Sequence, residues 1–295
     1  MKTIYIFAII ATLSLITSCK PNKRVQDTNQ GNTKQILYVS IQPLKYFVDQ
    51  IVKDRFDVKV LVPPGSSPET FAPSSKQIAE LENAMGFFKV GPLTYENRWG
   101  SEWQAAHPGT ELINCSIGVP KQTLAHQHGD HVHYGTDPHI WLAPKTAKII
   151  ATNIYEGILQ FDPANKSFYR KNFKNLLSTI EGVKSDLDKM FEGHPHQAFL
   201  IFHPVLGYLS SEYHLHQEAI EFEGKKPSLK QLTHFVELAK KENIQSILVQ
   251  KEFSSSSAKI IAKEINGKVV VINPLGYNWP EVMREIGEAI SLSNK

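Results

Sequence analysis

Cysteine is nearly absent from the 295-residue chain, which carries only Cys19 and Cys115. Cys115 lies in the apolar run Leu112-Ile113-Asn114-Cys115-Ser116-Ile117 and reads as a small buried hydrophobe, so a disulfide framework is excluded and a packed core must supply stability. A large excess of either charge is absent as well: the formal net charge is +3, with no helix-turn-helix, RNP or cysteine-rich finger pattern, which excludes nucleic acid as a partner. The apolar run from Ile4 to Ile16 falls short of the roughly 20 residues that a spanning helix needs. A His-Glu-x-x-His helix and a nucleophile elbow are also missing, so the expectation is a protein that is not an enzyme.

The first segment pairs Lys2 with that apolar run and ends in Leu15-Ile16-Thr17-Ser18-Cys19. It reads as a signal peptide over residues 1–18 and resembles a bacterial lipobox, in which cleavage leaves Cys19 as a lipidated N-terminus. An ordinary secretory signal with a coincidental cysteine is the alternative. Either way the chain is expected to be exported, periplasmic or in the cell envelope, and several acyl chains on Cys19 would hold it to a membrane. Residues 19–35 are polar and aperiodic, which predicts a flexible tether.

From residue 36 onward, strand and helix signals alternate, as in α/β proteins with largely parallel sheets. Strands are predicted at 36–41, 58–62, 86–90 and 111–114, then at 198–202, 247–249 and 269–272, with helices at 74–85, 228–242 and 255–266. Between the halves, Phe173, Leu176, Leu177, Ile180, Val183, Leu187 and Met190 keep helical spacing. The expected architecture is therefore two lobes, 36–162 and 192–295, with a helix over 163–191 that is about 42 Å long and runs alongside both.

Ligands of open α/β sheets gather beyond the carboxyl ends of strands, which singles out Glu69, His139, His203 and Asn273. Their separations, 70, 64 and 70 residues from 139 − 69, 203 − 139 and 273 − 203, give each lobe two positions and suit a cleft. Two imidazoles and a carboxylate suit zinc, and manganese or iron accepts the same donors. Taken singly, each has a bland reading: a structural histidine, a loop carboxylate or a turn-forming asparagine. Immediately upstream, His126, His128, His131 and His133 crowd residues 124–136, a third of the chain's 12 histidines. That stretch reads as a flexible loop collecting zinc, copper or nickel, the alternative being a merely solvated loop. The pairs His194/His196 and His214/His216 read as surface residues.

Several motifs in order then resemble one family: Pro64-Gly65-Ser66-Ser67-Pro68, Asp137-Pro138-His139-Ile140-Trp141-Leu142, Phe202-His203, Glu223-Gly224 before Pro227-Ser228, Glu252-Phe253-Ser254 and Asn273-Pro274-Leu275. From about residue 36 to its end, the chain resembles the zinc/manganese solute-binding proteins of bacterial ABC transporters (periplasmic solute-binding family 9), and the histidine-rich segment resembles that of the zinc-uptake branch. The resemblance implies two α/β lobes on a long backbone helix, a divalent ion in the cleft, Zn²⁺ with Mn²⁺ or Fe²⁺ as alternatives, and delivery by a monomer to a membrane permease. It carries His139 and His203 over as metal ligands. Glu69 stands where a histidine is usual and Asn273 where an aspartate is usual, an exchange that conserves site charge while moving the anion between lobes. A zinc-dependent hydrolase and an envelope adhesin or metallochaperone are the competing readings.

Overall fold

The computed structural model describes residues 34–106, 109–128, 131–221 and 227–294. The signal peptide, Cys19, most of the tether and the Glu223-Gly224 motif lie outside them. Among the described residues no helix is long and apolar enough to cross a membrane.

The chain from Lys34 onward forms one compact unit built on two sheets. Its first half runs β1 (Gln35–Val39), α1 (Gln42–Val52), β2 (Phe56–Val60), α2 (Ser75–Leu81), β3 (Gly86–Lys89), α3 (Thr94–Ala106) and β4 (Glu111–Asn114). These strands pair in parallel in the order β2-β1-β3-β4. An antiparallel ribbon follows, β5 (Thr123–His128) and β6 (His131–Thr136), then α4 (Pro144–Phe161) and α5 (Lys166–Phe191). The second half contains β7 (Ala198–Ile201), α6 (Gly207–Tyr213), β8 (His216–Ala219), α7 (Leu229–Lys241), β9 (Ser246–Gln250), α8 (Ser256–Glu264), β10 (Lys268–Ile272) and α9 (Trp279–Ser291). Its parallel sheet has the order β10-β9-β7-β8.

Alternation explains why the second sheet is covered on both faces. Phe199, Ile201 and Leu248 join the core around α5, whereas Ala198, Leu200, Phe202, Ile247 and Val249 join a separate core with Phe235 of α7 and Ile261 of α8. Ser74 and Ser228 open α2 and α7 with capping boxes, each serine accepting from the backbone N–H of a glutamine three residues on.

The long helix is shorter than its sequence pattern suggests. Pro163–Asn165 form a separate 3-10 turn, and α5 begins at Lys166, giving about 39 Å. The break has a local cause: Asp162 Oδ2 accepts from Asn165 Nδ2 at 2.7 Å and from the Tyr169 hydroxyl at 2.6 Å, and these bonds hold the turn against the helix start. The buried stripe of α5 runs through Tyr169, Asn172, Leu176, Ile180, Val183, Leu187 and Phe191. It packs on α1 and α4 from one half and α9 from the other. Each buried Leu, Ile or Val there contributes about 1.5–3 kcal/mol.

The two halves are pinned close to the cleft. Trp141 Nε1 donates to the Pro274 carbonyl at 2.9 Å, and Trp279 Nε1 donates to the Trp141 carbonyl at 2.7 Å. Both indoles are fully buried, Trp279 packs on Phe47 with ring centroids 5.3 Å apart, and the Tyr277 hydroxyl donates to Asp49 Oδ2 at 2.8 Å. These contacts fix the segment carrying His139 against the loop after β10, so the cleft walls cannot separate without opening the core.

The histidine-rich segment, expected as a loop, is instead the β5–β6 ribbon. Register pairs His126 with His133 and His128 with His131. Alternating histidines flank Gly129-Asp130, a two-residue hairpin signal in the sequence.

Candidate metal centre

His203 sits two residues beyond β7, where the chain leaves the second sheet. Gln250, the last residue of neighbouring β9, grips its backbone from both sides: Gln250 Oε1 accepts the His203 N–H at 3.2 Å and Gln250 Nε2 donates to the His203 carbonyl at 2.5 Å. The Phe253 ring stacks on the imidazole at 4.8 Å, tilted 25°. His139 follows β6 and precedes α4, and its ring lies 5.5 Å from that of Trp141, the residue pinned to Pro274. Glu69 comes from the long loop between β2 and α2, where its N–H donates to the Ser67 hydroxyl at 3.3 Å.

These three residues converge. One ligand atom from each of Glu69, His139 and His203 lies within 4.8 Å of the others. The two imidazoles are buried, with Glu69 more open at 31% side-chain exposure. They line a small cleft of about 20 Å³ together with Trp141, Glu252 and Phe253.

Each histidine is backed by a buried carboxylate. Asp137 Oδ1 lies 2.8 Å from His139 Nδ1 and also accepts the His139 backbone N–H at 2.9 Å; Glu221 Oε2 lies 2.7 Å from His203 Nδ1. A carboxylate oxygen only accepts, so both Nδ1 atoms carry protons and both Nε2 atoms face the cleft. Such carboxylate–histidine pairs orient imidazoles for a metal and raise their basicity. Neither Asp137 nor Glu221 was singled out from sequence. The signal existed only for Asp137, two residues before a candidate ligand.

Glu69 Oε1 stands 3.1 Å from His203 Nε2 and 3.4 Å from His139 Nε2. Burial would lower the His203 pKa, but hydrogen bonds to Glu221 and Glu69, reinforced by their charges, outweigh it and raise the pKa to about 9. With no ion bound, His203 is thus an imidazolium held between two carboxylates. A divalent cation between the Nε2 atoms would replace that proton and meet two nitrogens and one oxygen, a donor set that suits zinc.

Asn273 stands apart. The cleft is lined by the next two residues, Pro274 and Leu275, but not by Asn273. Its carbonyl accepts the Gly276 N–H at 3.0 Å, and a Cβ added at Gly276 would come within 3.3 Å of its amide nitrogen, so Asn273 shapes the turn after β10. The smaller histidine pairs also serve the backbone: His196 and His214 adopt positive φ of 65° and 55°, and the His196 N–H donates to the His214 carbonyl at 2.8 Å.

Gly207, the first residue of α6, makes room for Asp137. An added Cβ would collide with Asp137 Oδ2, a buried oxygen with no hydrogen-bond partner among the described residues. Gly207→Ala should push Asp137 off His139 and lower zinc affinity roughly 10- to 100-fold. Chelator competition would measure this, and affinity equal to the parent protein's would show that Asp137 does not orient the ligand.

Comparisons with known proteins place the chain in a family. The family of ZnuA, zinc-uptake complex component A, periplasmic, matches residues 37–291. The high-affinity zinc uptake system protein ZnuA of Bacillus subtilis (strain 168) is 30% identical over 285 residues, spanning 92% of this chain and 88% of that protein. The zinc-binding lipoprotein AdcA of Streptococcus pneumoniae serotype 4 is 24% identical over 290 residues, which are 93% of this chain and 56% of that protein. A crystal structure of ZnuA superposes with a TM-score of 0.82 at 30% identity, covering 89% of this chain and all of that one. A zinc-bound ZnuA lacking residues 138–173 of its own chain gives 0.79 at 31% identity, covering 89% and 98%. The chain therefore belongs to the periplasmic zinc-uptake component A family, and its paired imidazoles face the cleft of that family's two-sheet fold.

Proposed function

We propose that this protein captures zinc outside the cytoplasm and delivers it, as a lipid-anchored monomer, to the permease of an ABC transporter. The observation that carries this reading is the meeting of Glu69, His139 and His203 within 4.8 Å, with a carboxylate behind each imidazole. Glu69, His139 and His203 hold the ion. Glu69 is the most exposed of the three, so its side of the site is where the ion enters and leaves. A pinned interlobe core confines any change on binding to side chains and this loop, which suits repeated loading and release.

The ribbon serves as an auxiliary collector. The register pairs position 126 with 133 and 128 with 131, which gathers four histidines on two paired strands upstream of His139. Cys19 carries the lipid. A relay with these ligands binds one tight zinc and turns over no substrate.

Metal analysis of protein purified without added metal, with competitive titration of Zn²⁺ against Mn²⁺, tests the reading. One tightly bound zinc, preferred over manganese, is expected, and protein that retains neither ion refutes it. Glu69→Ala should weaken zinc binding far more than Asn273→Ala. Equal losses by calorimetry would reject the three-residue ligand set.

A further inference from the structure

Zinc sites of this kind are tetrahedral, and Glu69, His139 and His203 supply three donors. The expected fourth, Asn273, is neutral and turned into its own loop. The strand beside it brings a better donor to the same rim. In the second sheet β9 and β10 run in parallel with Gln250 opposite Ile272, and the Lys251 N–H donates to the Ile272 carbonyl at 3.0 Å. Residues 251 and 273 therefore leave adjacent strands side by side, and Glu252, one residue further on, lines the cleft where Asn273 does not.

The setting of Glu252 is that of a mobile donor on a fixed base. Gln250, two residues before it, clamps the His203 backbone, and Phe253, just after it, stacks on the His203 ring. The backbone at position 252 is thereby held in register with a candidate ligand. The side chain, in contrast, is partly exposed and makes no hydrogen bond or ion pair to another described residue. Its carboxylate is outside the group of atoms that meet within 4.8 Å. A glutamate has three side-chain dihedrals, so rotation alone can carry the carboxylate inward without moving the chain.

The geometry points to Glu252 as the fourth zinc ligand: it swings from the rim into the cleft once the ion is seated on Glu69, His139 and His203, and one carboxylate oxygen displaces the last water. This assignment rests on the cleft reading above. It adds a second anionic donor, just after β9, to Glu69 and makes the captured site neutral overall, with two carboxylates offsetting a divalent ion. It also makes the fourth ligand the first to leave, because Glu252 alone of the four has no hydrogen bond or ion pair to another described residue before binding.

The test compares the full chain with Glu252→Gln and, in parallel, His139→Ala, using Zn²⁺ in chelator competition and Co²⁺ absorption as a reporter of coordination. Loss of a ligand in Glu252→Gln should lower zinc affinity on the order of 100-fold. It should also change the Co²⁺ d–d bands, because an oxygen anion leaves the inner sphere. Glu252→Asp, with a shorter arm, should recover part of the affinity. Zinc affinity within about twofold of the parent protein would overturn the assignment. So would a loss of affinity with an unchanged Co²⁺ spectrum, since charge acting at a distance leaves the coordination sphere intact. The His139→Ala arm separates the two readings: if it too binds zinc as tightly as the parent, the cleft reading itself falls, whereas if it loses zinc and Glu252→Gln does not, only the role of Glu252 falls.

Discussion

Replacing His203 with alanine lowers zinc affinity by about two orders of magnitude or more and destabilises the metal-free protein as well. Structural zinc sites are worth about 10–16 kcal/mol over four ligands, about 3 kcal/mol for each, which is about a hundredfold in affinity. His203 is also the partner of Glu221, whose side chain is only 4% exposed. Deleting one member of a buried ion pair costs about 3–5 kcal/mol, because the remaining charge has been desolvated for a partner that is gone. Both losses are large, and they must be separated. Chelator competition on material shown to be folded by circular dichroism reads the first, and chemical denaturation without metal reads the second. His203→Gln retains a polar side chain near Glu221 while removing the imidazole, so it should recover part of the stability and little of the zinc affinity. A His203→Ala protein that is folded and still holds zinc as tightly as the parent would remove His203 from the site.

The parts of this site that were legible in sequence are those that obey a strand-end rule. His203 follows an apolar run directly, and its place beyond β7 could be read from Phe199-Leu200-Ile201-Phe202. Asn273 obeyed the same rule, which shows its limit: ending a strand puts the backbone at the rim, but the following turn decides where the side chain goes, and this amide lies beside Gly276. Glu69 is nine residues beyond β2, so the strand end places its loop at the rim but no periodicity reaches the residue itself, and the motif around Pro64 and Pro68 narrows the choice. The supporting carboxylates illustrate the other limit. Glu221 lies 18 residues after His203 and meets it because β8 pairs with β7 in parallel, a register that one chain cannot reveal without its sheet order. The fold was easier, since alternating apolar strands and a stripe of helical spacing each record burial directly. The ribbon was missed because its polar residues imitate a loop, and hydrogen bonds between strands leave no trace in composition.

Zinc affinity should rise about tenfold per pH unit from about pH 6.5 to 8.5, well past the point where a free imidazole has finished titrating. The cause is the His203 proton. In the metal-free protein the His203 pKa is raised from 6.5 to about 9: burial opposes the charged ring, but Glu221 and Glu69 together overcome it. Zinc needs the lone pair on Nε2 that this proton occupies, so each ion bound below about pH 9 releases it. Calorimetry in buffers of different ionisation enthalpy should count about one proton released at pH 7.5. Metal-free stability runs the other way. A group whose pKa is higher folded than unfolded stabilises the fold fully below its unfolded value, so the contribution of His203 is complete below about pH 6.5 and is lost as pH climbs towards 9. The shift corresponds to about 3 kcal/mol across that window. Zinc-loaded protein, with the proton already displaced, should show no such decline. Glu69→Gln removes one of the two carboxylates that hold the proton, so it should flatten the stability profile and shift the affinity rise to lower pH. A Glu69→Gln protein whose metal-free stability still falls between pH 6.5 and 9 as steeply as the parent's would mean that Glu221 alone holds the proton, and that Glu69 does not compete with zinc for the ring.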